Sequence, residues 1–143
     1  MRIEKGNYKG KHPSGAIPSP VIMEAAKRKI VNGTITCGDA EDIARTLLKS
    51  MLEVGTVIDL METQIEKCQL GLFGYHPDQK IVSPAQKIDP KVEEAVRTKL
   101  INGRLACHDA WQLSKAFALP RIDISSVCEA KGIKIGPCQL GAF

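Results

Sequence analysis

Apolar residues return at helical spacing in three stretches and then, seventy residues later, in three more. Ile22, Ala25, Ala26 and Ile30 define one buried face, Ala40, Ile43, Ala44 and Leu47 a second, and Val54, Val57, Ile58 and Leu60 a third. Their counterparts are Val92, Ala95, Val96 and Leu100, then Ala110, Leu113, Ser114 and Phe117, then Ile124, Val127, Cys128 and Ala130. Each first helix is predicted to start at a cap followed by proline, Ser19-Pro20 or Asp89-Pro90, because the side-chain oxygen satisfies free N–H groups and proline needs no donor there. Asn32-Gly33 and Asn102-Gly103 are predicted to end it, since both residue types tolerate the left-handed conformation. A short extended piece follows, residues 34–36 or 104–106. Asp39 and Asp109 lie near the start of the second helix, and Ser50 or Pro120 begins the third. After Gly132, the alternating Ile133-Lys134-Ile135 and the turn pair Gly136-Pro137 predict a small β-hairpin.

The recurrence is an internal repeat: Pro20–Phe73 aligns on Pro90–Phe143 without a gap, with sixteen of 54 pairs identical. Cys68-Gln69-Leu70-Gly71 and Cys138-Gln139-Leu140-Gly141 are its longest identical run. A unit of this length is a whole small domain, since solenoid repeats run at roughly 20–50 residues. The expected organisation is a mobile basic arm (1–19), a first module (20–73), a linker (74–89) and a second module (90–143). The expected class is mostly α with short β-hairpins, an α+β chain of two tandem modules.

Composition narrows this further. At 43% hydrophobic and 25% charged the sequence reads as an ordinary globular chain, and no window is apolar enough to span a membrane. Residues 1–8 lack the apolar core of a secretion signal, and five cysteines, an odd number, argue for reduced thiols, so a cytoplasmic location is expected. The net charge of +4 is spread unevenly: the arm holds Arg2, Lys5, Lys9 and Lys11 against Glu4, the first module is acidic and the second basic.

The run Asp109-Ala110-Trp111-Gln112-Leu113-Ser114, continuing through Phe117-Ala118-Leu119-Pro120 to Ile124-Ser125-Ser126-Val127, resembles a helix-turn-helix, and each repeat resembles a winged helix-turn-helix domain. The resemblance covers about 54 residues per copy and attaches to no narrower family. It implies DNA binding, with the third helix in the major groove. Carried onto this chain, Thr56, Ser125 and Ser126 face the bases, and Arg121, Lys131 and Lys134 meet phosphate, with Arg2, Lys5, Lys9 and Lys11 along a groove. The expected function is that of a DNA-binding, regulator-like protein, with DNA as partner and no cofactor. The third helix of the first copy, with Glu53, Asp59 and Glu62, pulls toward the alternative, a protein-interaction adaptor of the same fold that binds no nucleic acid.

Cys37 and Cys68, like Cys107 and Cys138, are 31 residues apart, which places one thiol after the short strand and the other at the hairpin. As zinc ligands they would be joined by His108 and Cys128, or by His76; as small hydrophobes they would fill a corner of each core. No short Cys-x-x-Cys spacing is present, and no metal site is expected. Trp111, standing where the first copy has Glu41, suggests packing between the modules. The three histidines lie apart in sequence and no nucleophile elbow, P-loop or dinucleotide fingerprint occurs, so no enzymatic activity is expected.

Overall fold

Ordering of the chain begins before the first predicted helix: the computed structural model describes residues 8–13 and 15–143, and opens with a 3₁₀ turn at Tyr8–Lys11. There follow α1 (Pro20–Lys27), β1 (Thr34–Thr36), α2 (Cys37–Leu47), α3 (Met51–Leu60) and β2 (Gln64–Glu66). The second copy repeats them as α4 (Pro90–Lys99), β3 (Arg104–Leu105), α5 (Cys107–Phe117), α6 (Arg121–Ala130) and β4 (Lys134–Ile135). The fold is α+β with very short strands, and no helix among the described residues is long and apolar enough to cross a membrane.

Several helix starts follow the expected chemistry. Asp89 accepts from the Lys91 N–H at 2.9 Å, and Ser50 from the Glu53 N–H at 3.0 Å, each cap satisfying a donor that the helix leaves free. Thr36 does the same for Asp39 at 3.0 Å. Ser19 makes no side-chain cap, and Pro20 alone marks that start.

Asn32-Gly33 and Asn102-Gly103 do something other than end a helix. α1 and α4 stop before them, and both residues of each pair have positive φ, 52° and 76° in the first copy. Val31 and Thr34 exchange both backbone hydrogen bonds, each at 3.0 Å, and Ile101 and Arg104 do likewise. This is the two-residue turn whose twist suits a tight reversal, and it aims the chain into β1 or β3.

The hairpin predicted after the third helix is replaced by a longer-range pairing. β1 lies parallel to β2 with Ile35 beside Ile65, and β3 parallel to β4 with Leu105 beside Ile135. Beyond β4 the chain does not reverse at Gly136-Pro137: the Gly136 N–H donates to the Leu105 carbonyl at 2.8 Å, and Cys107 N–H to Pro137 at 3.1 Å. Each strand pair therefore brackets two helices. Its cause is burial, because all four facing aliphatic residues are at most 8% exposed.

α2 and α3, and equally α5 and α6, are joined by a three-residue turn. Its first residue, Leu48 or Ala118, is left-handed, with φ of 55° or 53°. Hydrogen bonds from Lys49 N–H to Ala44 and from Leu119 N–H to Ser114 close it, the usual way a helix end satisfies its last carbonyls. The third helix is the hub of each copy. In α3 Val54, Gly55, Val57, Ile58 and Asp59 are buried, and in α6 Ile124, Ser125, Val127 and Cys128.

The chain forms two compact units, and they cut it elsewhere than the repeat does. One holds the residues through Cys68 together with Gln139–Phe143; the other is Gln69–Cys138. Each repeat's Gln-Leu-Gly tail thus completes the unit built on the other. Leu140 is 1% exposed in the first unit and Leu70 0% in the second. The tail lies so close to α3 that a Cβ on Gly55 would sit 1.9 Å from the Leu140 carbonyl oxygen. The matching position of α6 is Ser125, fully buried and with its hydroxyl unpartnered.

Neither the expected arm nor the expected linker is loose over its described length. Glu62 accepts the N–H groups of Tyr8 and Lys9 at 2.8 and 3.0 Å, and Asp59 takes the Lys11 ammonium at 3.0 Å. In the other unit Gly71 accepts from Ile81 and Val82, the Ala85 N–H donates to Ser126, and Lys80 pairs with Glu129. With the same offset of seventy, residues 8–19 and 78–89 share no residue, yet both lie over the third helix of their unit.

Two substitutions separate these tail contacts. Gly55→Ala is expected to lower stability by about 1–3 kcal/mol through overpacking, whereas Ser125→Ala raises it by about 1 kcal/mol by removing a hydroxyl buried without a partner. Urea unfolding of both variants checks the opposite signs.

Candidate functional site

The residues expected to face DNA are scattered by the fold, and several are already engaged. Ser125 faces the interior, fully buried, so it presents nothing to a base; this corrects the sequence reading. Ser126 is half-buried and its carbonyl accepts the Ala85 N–H at 3.0 Å. The Thr56 hydroxyl donates back to the Leu52 carbonyl at 2.9 Å, within its own helix. For the two serines the cause is shared: the segment preceding the repeat and the tail of the other repeat cover α6, of which only Asp123 and Ala130 are exposed. A helix buried on most of its circumference does not lie in a major groove.

The expected phosphate contacts divide in the same way. Arg121, at the start of α6, stacks its guanidinium 3.7 Å from the Trp111 ring centroid, with Nη1 3.5 Å from Gln69 Oε1. Trp111 and the tail residue Gln69 thus hold one cation of their own unit. Lys131 caps the end of α6 and pairs with Glu93 at 3.5 Å, a favourable place for a cation beside helix carbonyls. Lys11 is held by Asp59 and by the Gly141 carbonyl, the latter at 3.0 Å, and the Lys9 side chain stays exposed. Arg2 and Lys5 lie outside the described residues.

Lys134 stands differently. It is exposed on β4 directly opposite Arg104 of β3, itself exposed. Among the described residues neither has an ion-pair partner, and like charges facing across a strand pair repel unless an anion lies between them. Arg104 escaped the sequence reading because its proximity to Lys134 comes from the parallel register. The available signal was that both replace neutral residues of the first copy, Thr34 and Gln64.

A second surface was not anticipated at all. A groove of about 330 Å³ opens in the first unit between Ile17 and Ser19, Ile22 of α1, and Leu52, Glu53 and Thr56 of α3. Two of its lining residues are large aliphatics turned to water, Ile17 at 87% and Leu52 at 62% exposed, and Val21 and Leu48, at 57% and 90%, lie one and two residues in sequence from lining residues. The second copy has Lys87, Lys91, Ala118 and Ile122 in their places. Leu48 breaks two local rules together, a branched apolar side chain in water on a left-handed backbone.

The thiols are core residues in four of five cases: Cys37, Cys68, Cys107 and Cys128 are buried and Cys138 is half-buried. No three metal-ligating side chains come together among the described residues, so His76 and His108 join no such group with the cysteines. Burial, with Glu129 adding to it, pushes the Cys128 thiol up to about 11. No protein-family model matches this chain, and neither does any curated protein sequence or solved structure.

The Cys128 shift has a consequence for stability. The unfolded thiol ionises near 9 and the folded one near 11, so the unfolded state loses its proton first as pH rises. Stability from this group is unaffected below pH 9 and falls by about 1–3 kcal/mol between pH 9 and 11. Chemical denaturation across that range is expected to show the fall, and Cys128→Ala to remove that component of it.

Proposed function

We propose that this protein is an adaptor whose first unit docks a partner polypeptide in the groove beside α3. The observation that carries this reading is the pair of exposed aliphatics lining the groove, Ile17 and Leu52, with Val21 and Leu48 exposed close by in sequence, all of which the second copy replaces with lysines or smaller or half-buried residues. Exposed apolar residues gathered at one place on a chain mark an interaction site more often than a solvated face. The left-handed backbone at Leu48 is shared with Ala118 and closes the turn in both copies; what distinguishes the first copy is the exposed leucine carried there. Glu53 lies on the groove and has no ion-pair partner among the described residues. The partner is therefore a segment with an aliphatic anchor and a lysine or arginine beside it. No catalytic step is needed.

Selection of random peptides on the full chain tests this. Enrichment of aliphatic-plus-basic sequences, with binding weakened roughly tenfold or more by Leu52→Glu, is expected; binders indifferent to Leu52 overturn it. Leu48→Gly is expected to raise stability by about 1 kcal/mol, since glycine removes the left-handed penalty, while weakening the same binding. A gain in stability with affinity unchanged would take Leu48 out of the site.

Nucleic-acid binding remains as a second reading, favoured by the unpartnered Arg104 and Lys134. In this form a tandem winged-helix-like chain meets phosphate through the strand edge of its second unit, without base reading by α6. Binding to mixed-sequence duplex DNA should then weaken in the Arg104→Glu, Lys134→Glu double variant, with the slope of log affinity against log salt shallower by about 2. An unchanged slope removes the reading.

A further inference from the structure

In each unit the third helix is met closely by a peptide segment that comes from the other repeat. In the first unit Gln139–Phe143 reaches α3 from the other repeat. Its backbone lies on Gly55, where no side chain fits beneath the Leu140 carbonyl, and Leu140 itself is 1% exposed. Gly141, at φ +77°, offers its carbonyl to Lys11 at 3.0 Å, and a Cβ on it would approach Leu52 Cδ1 to 3.8 Å. In the second unit Gly71, at φ +72°, gives its carbonyl to the Ile81 and Val82 N–H groups, and a Cβ on it would lie 2.8 Å from Ile122 Cδ1. The two seats thus accept the same Gln-Leu-Gly sequence with the same left-handed glycine and the same buried leucine.

From this we infer that the seat over Gly55 is a receptor site for a Gln-Leu-Gly turn segment, and that a second copy of this chain fills it by donating its own residues 139–143. Nothing in the contact is specific to one chain. The tail already leaves the repeat that encodes it, and the tail of another copy makes every contact that Leu140 and Gly141 make. Only the effective concentration conferred by the intervening chain favours the tail of the same molecule. Exchange of an identical element between protomers is a low-cost route to assembly for that reason. The seat meets the proposed groove only at Leu52, beside Gly141; neither Gly55 nor Leu140 lines the groove.

Two full-length variants test the inference. Leu140→Asp keeps the seat and spoils the tail; Gly55→Leu keeps the tail and blocks the seat. Each alone is expected to be monomeric by native mass spectrometry, and their mixture to give a one-to-one heterodimer. A mixture that stays monomeric with both variants folded overturns the inference. Where Leu140→Asp folds poorly, the synthetic peptide covering residues 136–143 is added to it. A rise in its melting temperature, absent with the same peptide carrying aspartate for leucine, supports the seat as a receptor in trans; no rise, or equal rises with both peptides, overturns it. Ile17→Glu, which alters the groove and leaves Leu52 beside the tail unchanged, is expected to leave heterodimer formation intact, so failure of one reading is distinguishable from failure of the other.

Discussion

Each unit is arranged around a third helix buried along most of its length, with Leu52 and Glu53 of α3, and Asp123 and Ala130 of α6, left exposed. α3 and α6 are flanked by the other two helices of their copy and the strand pair, and overlaid by the segment preceding the repeat and by a tail from the other repeat. A helix apolar around most of its circumference must be buried on most of it, and three helices of about ten residues do not supply enough cover. The extra segments supply the rest. This explains why the stretches before each repeat are ordered although they share no residue: cover is required at that place. In one unit the cover is held by Asp59 with Lys11 and His12, the latter with Nε2 2.9 Å from the carboxylate; in the other Lys80 pairs with Glu129, the counterpart of Asp59, and the apolar Val82 is 8% exposed.

The same constraint redirects function. Each copy joins its second and third helices by a three-residue turn opened by a left-handed residue, the local pattern on which the helix-turn-helix resemblance rests. Yet the face that would read DNA is spent on internal packing. What stays available is peripheral. The first copy has exposed aliphatics at a groove, the second a pair of facing cations on a strand edge. The hubs themselves share only Val57 with Val127, so the two copies keep one design through the pattern of buried positions rather than through identity.

Much of the local structure was legible in the sequence because its causes are local. Helical periodicity located all six helices, and Asp89 and Ser50 announced their caps. Failures arose where a local signal served two structures or where the cause lay far along the chain. Asn-Gly suits both a helix end and a two-residue reversal, and the decision rests on the strand that follows it. The alternation at Ile133-Lys134-Ile135 was a strand, but its partner was Arg104-Leu105 across two helices. Ser125 looked like a polar residue on a recognition helix, since nothing within its own repeat shows that a tail from the other repeat comes to cover that helix. An internal repeat is also silent on which copy of a segment docks where, because the two tails read alike.

That exchange gives the chain an unusual order of completion. The tail that closes the first unit is encoded seventy residues beyond the last of its neighbours in that unit, with the whole of the second unit between them. On the ribosome, the first half emerges early and waits with α3 uncovered at Gly55 while the second half is made. The second unit, continuous in sequence, is ready to close first. Vectorial synthesis and the order of folding therefore run in opposite directions, and a nascent chain spends that interval with an apolar seat open to whatever Leu-Gly segment is nearby.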